Sequence, residues 1–165
     1  MFIFGHLGIG RTLTRPWNTR YSAWLLALGM LLPDLIDKPL YYARLSEFFS
    51  CTRTVGHTAI LMLLIFAAGR LSGRRAFMAI GVGVATHLAL DCLLDLVAAD
   101  GPSSAWRAVT WPLLGRDFTR FYSASISAHL GRLIATPVVL CEVAGLSLLA
   151  WERRRARTAA DLGTR

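Results

Sequence analysis

Acidic and imidazole side chains sit inside, or at the edges of, the most apolar runs of this chain: Asp34, Asp37, His57, His87 and Asp91. An ionisable group in such a position is costly unless something compensates it. A metal ion is a natural compensator, so these five residues constrain the topology and propose a site together.

Of the 165 residues, 55% are hydrophobic and 17% are charged. A soluble domain usually carries about 25% charged residues, and the deficit predicts an all-α membrane bundle of about four spans. Residues 1–152 read as one membrane-embedded domain and residues 153–165 as a basic tail. The net charge of +8 comes from arginines that flank apolar segments instead of interleaving with exposed aromatics. That pattern fits membrane topology, and no nucleic-acid partner is expected. Cys51, Cys92 and Cys141 are odd in number and form no CxxC pair, which suggests neither a disulfide framework nor a thiolate site. The apolar N-terminus lacks the layout of a cleaved signal peptide, so retained helices are expected to carry insertion.

The expected spans are residues 21–36, 55–68, 76–99 and 133–151. The first two are short for a bilayer that needs roughly 20 residues, and Pro33 is expected to bend or loosen the first just before Asp34. Basic residues collect in 11–20, in 70–75 and after Trp151. Four spans put all three stretches on one side, cytoplasmic by the positive-inside tendency, with both termini there. The loops 38–53 and 100–130 then face outward, and the acids and His57 converge at one depth. A multi-pass membrane location follows, with membrane lipid as the surrounding partner.

His87 and Asp91, in HLALD, are one helical turn apart and share a face. Imidazole nitrogen and carboxylate oxygen at that spacing suit a divalent ion, zinc first and manganese second. Asp34 and Asp37, in PDLID, share a face only if the helix continues past Pro33. They read either as two ligands whose mutual repulsion a cation relieves, or as a helix-ending turn paired with Lys38. His57 lies between Gly56, which permits close backbone approach, and Thr58, whose hydroxyl can orient the ring. Asp95 extends the His87–Asp91 stripe by a turn, as a ligand to a second ion or as support for a ligand histidine. Arg53 reads as an anion clamp or as a headgroup anchor, and Trp111–Pro112 as the mouth of the site or an interfacial pair. His129 has no acid at ligand spacing. His6, among Gly5, Gly8 and Gly10, falls on the wrong side of a simple four-span topology: the N-terminal segment re-enters, a span does not cross, or His6 is structural.

These motifs, GH at Gly5–His6, LLPDLID to Asp37, RTVGHT from Arg53, THLALD to Asp91 and WP at Trp111–Pro112, cover roughly the first 115 residues. In order and context they resemble a family of inner-membrane proteins regarded as metal-dependent hydrolases and related to a LexA-regulated bacterial membrane protein. The resemblance implies metal ligands at His6, Asp34, Asp37, His57, His87 and Asp91. The family's middle motif commonly has histidine before the arginine, where this chain has Thr52, and serine where it has Thr58. One or two ions are therefore expected.

The chemistry expected is metal-assisted hydrolysis of an ester or phosphodiester, such as that of an amphipathic, lipid-like substrate. Asp37 or Asp95 would accept the proton, and Arg53 would offset developing negative charge. The competing reading is a non-enzymatic membrane protein, a cation transporter or a structural partner in a complex.

Overall fold

The computed structural model describes residues 3–43, 53–97, 104–115 and 136–163, and over these residues the chain is helical with no strand. The α-helices are α1 (Ile3–Leu13), α2 (Ala23–Tyr42), α3 (Ala59–Ser72), α4 (Arg75–Val97), α5 (Ser104–Thr110) and α6 (Thr136–Gly163), with single 3-10 turns at Arg15–Trp17 and Val55–His57. Cys51, His129 and most of both expected outer loops lie outside the described residues.

The expected spans near 21–36, 55–68 and 76–99 correspond to α2, α3 and α4. α2 differs most, because it runs through both Pro33 and Pro39 to Tyr42. A proline inside a helix removes one backbone bond and crowds the carbonyl a turn earlier. Here tertiary contacts hold the helix together across that defect. By length and composition, one helix among the described residues is able to cross a bilayer, Arg75–Leu96, against the four expected. Ala59–Ser72 is apolar but shorter. α6 continues without a break across the boundary expected at residue 152.

α2 and α4 form the centre of the bundle. Any side chain larger than hydrogen at Gly29 would strike the backbone at Ile80 and Gly83, and one at Gly83 would strike that at Leu26 and Gly29. The two helices therefore touch backbone to backbone. Leu26, Met30 and Ala79 fill the space beside this contact and are almost fully buried, with Leu7, Tyr21, Leu25 and Val82 packed around them.

α1 packs on α6 in the same direction, Gly8 against Gly145. The Glu142 carboxylate accepts from the backbone N–H of Phe4 and of Gly5, each at 3.0 Å, and so satisfies amides that no helical carbonyl can reach. Farther along, Arg11 pairs with Glu152 at 2.6 Å. This docking seats the start of α1 at the level of the last turns of α2 and α4.

Polarity runs inside out. His6, Asp37, His57, His87 and Asp91 are buried, while Trp24, Leu35, Leu63, Leu64, Leu96 and Leu140 are exposed.

Candidate metal centre

Three imidazoles and two carboxylates from four parts of the chain meet at one end of the bundle. α4 supplies His87 and Asp91, α2 supplies Asp34, the 3-10 turn before α3 supplies His57, and α1 supplies His6. Of the three outcomes open for His6, the structure shows a buried residue inside the cluster. Its ring stacks on that of His87 with centroids 3.9 Å apart, and its Nε2 lies 3.4 Å from Asp91 Oδ1.

The ring nitrogens facing inward are fixed by what lies behind them. His87 Nδ1 is 2.6 Å from the Met30 carbonyl oxygen. A carbonyl only accepts, so Nδ1 carries the hydrogen, and the neutral ring turns a bare Nε2 lone pair inward. Met30 lies in the helical turn just before Pro33, and α2 runs on through that proline. His57 Nδ1 is 2.7 Å from Asp37 Oδ2, and the same logic turns its Nε2 lone pair inward. The two Nε2 atoms are 3.1 Å apart. Two lone pairs at that separation repel unless a positive species lies between or beside them.

Carboxylate oxygens complete the set. Asp91 Oδ2 is 3.6 Å from His57 Nε2 and 3.9 Å from His87 Nε2, and Asp34 Oδ1 is 3.7 Å from His57 Nε2. Two ligand groups result, His6–His87–Asp91 and Asp34–His57–His87, with the donor atoms of each within 4.8 Å of one another. They share the single inward-facing Nε2 of His87, so the two groups are alternative seats for one ion, and a second ion would have to be held without His87. Nitrogen and oxygen donors of this kind fit a divalent cation, and convergent lone pairs on a buried face are what such a cation satisfies.

Asp37 stands one step behind. Its side chain is fully buried and accepts from Thr54 N–H at 2.6 Å, Thr54 Oγ1 at 2.8 Å, Gly56 N–H at 2.8 Å and the His57 ring. With four donors on two oxygens, Asp37 orients His57 from behind the two ligand groups, where the sequence predicts a ligand or proton acceptor. Gly56 lies against the Pro33 carbonyl and the Asp37 carboxylate, where a methyl group would intrude. Close backbone approach is its role. Thr58 bonds the Val55 carbonyl and caps α3 by accepting from Leu61 N–H at 3.1 Å; its hydroxyl serves the helix and not the His57 ring.

Arg53 and Asp95 also differ from expectation. Arg53 Nε meets Asp91 Oδ2 at 2.9 Å, and its Nη1 meets both Asp95 oxygens at 2.9 and 3.1 Å. Asp95 further accepts from Ala105 N–H at 3.0 Å, which holds the start of α5. Burial works against the Arg53 charge, but Asp91 and Asp95 outweigh it, so its pKa lies above the ordinary arginine value. Arg53 therefore positions Asp91, and Asp95 positions Arg53. Trp111 and Pro112 lie in the turn after α5, half-buried and exposed respectively.

Thr54, the Met30 carbonyl and Glu142 were not singled out by sequence. Glu142 carried a usable signal, an acid within the apolar run of α6. Lys38 pairs with Asp34 at 2.6 Å, so both expectations for Asp34 hold in part: it is salt-bridged and it faces the cluster. No protein-family profile, curated protein or solved structure matches the chain.

Proposed function

We propose that this protein is a membrane-embedded, metal-dependent hydrolase acting on an ester or phosphodiester of an amphipathic substrate, as the resemblance to the inner-membrane hydrolases implies. The inward-facing lone pairs of His57 and His87, 3.1 Å apart beside Asp91 and Asp34, carry this reading. His6, His87 and Asp91 would hold one ion, with Asp34 and His57 the alternative partners of the same His87 Nε2 or the holders of a second ion without it, zinc being preferred and manganese able to substitute. A divalent cation bound there supplies Lewis acidity, acidifying a water and polarising the ester oxygen.

The remaining work falls to the chain itself. Asp37 holds His57 in one tautomer, and Arg53 holds Asp91. Asp34 is the most exposed carboxylate of the set, at 17%, and lies at the open edge of the cluster. With the ion on His6, His87 and Asp91, Asp34 Oδ1 is not a ligand, and we assign it as the acceptor of the attacking water's proton, in place of Asp37 and Asp95, whose oxygens are occupied. Lys38 adds positive charge beside it, where negative charge develops on the substrate.

Two features support a bilayer setting. The outer surface is rich in Leu and Trp while the ionisable groups face inward, the arrangement that low-dielectric surroundings favour. α4 is long enough to cross, and α2, α3 and α6 would accompany it as the shorter or tilted members of a four-span bundle. Arg11, Arg20, Arg70 and Arg75 gather at the end away from the site, which by the positive-inside tendency favours the cytoplasm for that end and for the end of α6, whereas the start of α1 sits at the site end, against the cytoplasmic N-terminus that four simple spans imply. A transporter reading is disfavoured because Leu26, Met30 and Ala79 close the interior between the two ends.

The test is hydrolysis of a chromogenic phosphodiester and of a short-chain phospholipid by the detergent-purified full chain. Turnover that needs added metal, disappears with chelator and is lost in a folded His87→Ala variant is expected. Equal turnover by His87→Ala would contradict the proposal.

A further inference from the structure

A second polar feature lies at the opposite end of the bundle. Gly73 ends α3 with φ of 67°, a left-handed conformation that lets the chain reverse within two residues. Arg70, in the last turn of α3, and Arg75, which opens α4, are thereby brought to the two sides of one turn. The segment before α2 comes alongside them. Thr19, Arg20, Tyr21, Arg70, Arg75 and Met78 line a cavity of about 500 Å³, within the range of small-molecule sites.

Three arginines thus border one cavity, and its lining residues include no carboxylate. Three cations elsewhere are paired, Arg11 with Glu152, Lys38 with Asp34 and Arg53 with Asp91 and Asp95. Arg20, Arg70 and Arg75 have no acidic partner among the described residues, and all three are exposed. α4 opens beside the cavity with no acid in its first turn, so its free N–H groups add to the positive field. The Thr19 and Tyr21 hydroxyls supply neutral donors. Planar guanidinium forks with hydroxyls around a small concave volume match a tetrahedral oxyanion in particular.

We propose that this cavity is a phosphate-binding site, built by Arg20, Arg70 and Arg75 and separate from the metal-capable cluster. The ligand is a phosphate group, reaching it either on the headgroup of an anionic lipid or as the free ion. The lipid source rests on the membrane reading above; the phosphate chemistry does not.

The full chain in non-ionic detergent is titrated calorimetrically, at fixed ionic strength, with inorganic phosphate and separately with a short-chain phosphatidic acid. One saturable site is expected. The triple variant Arg20→Gln, Arg70→Gln, Arg75→Gln should weaken it by about tenfold or more, since each lost contact at an exposed arginine is worth a several-fold factor. Arg153→Gln, on the exposed end of α6, should leave it unchanged. Tight binding of phosphate alone assigns the soluble ion, and tighter binding of the lipid with the same arginine dependence assigns the headgroup. Far-ultraviolet circular dichroism checks that the triple variant is folded; if it is not, Arg70→Gln alone serves, with a several-fold loss expected. No saturable binding of either probe, or binding that survives loss of the arginines, would overturn the site.

Discussion

The two ends of this bundle handle charge in opposite ways. At the metal-capable end, Asp37, Asp91 and Asp95 are each held by hydrogen bonds or by Arg53, and the groups nearest the centre are buried. At the other end, Arg20, Arg70 and Arg75 are exposed and without acidic partners among the described residues. The apolar packing of Leu26, Met30 and Ala79 separates the two. Buried charge is kept only where every lone pair or proton is answered, whereas exposed charge needs no such answer. The same side-chain type, arginine, is thus a structural strut at one end and an open cation at the other.

That contrast gives a graded series of substitutions. Arg53→Ala should be the most damaging, costing about 3–5 kcal/mol because Asp91 and Asp95 lose their buried partner. Thermal unfolding of the detergent-solubilised protein measures this, and Arg70→Ala, expected to stay within about 0.5 kcal/mol of the parent, is its control. Equal effects at the two ends would erase the distinction. Asp37→Asn should come next: it keeps the shape of the carboxylate but no longer takes all four donors, and it should weaken metal affinity by about 10–100-fold with the fold retained. Competition with a chelator reads that loss. Thr54→Val removes one hydroxyl from the same carboxylate and should cost about 1–3 kcal/mol, again by thermal unfolding. Lys38→Met, at a pair partly open to solvent, should cost less than about 1 kcal/mol while slowing hydrolysis, because it removes charge from the open edge and not from the ligands.

Much of the site was legible in the sequence because it is local. HLALD needs only a helix to place His87 beside Asp91, and α2, α3 and α4 follow from apolar runs with basic ends. Gathering the basic stretches at one end needed only the number of turns between them. What stayed hidden depends on long-range contacts. His6 enters the cluster because Glu142, 137 residues away from Gly5, holds the start of α1 in place, and counting spans cannot reveal that. Asp34 and Asp37 look alike in PDLID, yet one faces the cluster and the other faces the backbone of Thr54 and Gly56. That difference is made by the 3-10 turn at Val55–His57 packing on α2. Pro33 signals a break, yet α2 runs through it to Tyr42, and the Met30 carbonyl three residues earlier accepts from His87, a contact no local pattern announces.

The most direct measurement is the metal content of the full chain purified in detergent, by elemental analysis, for the parent, His87→Ala and Arg70→Ala. One or two equivalents of zinc or manganese in the parent and in Arg70→Ala, with loss in folded His87→Ala, is the expected result. A parent that takes up no divalent metal when it is supplied, or a His87→Ala variant that binds as much as the parent, would contradict a shared metal centre.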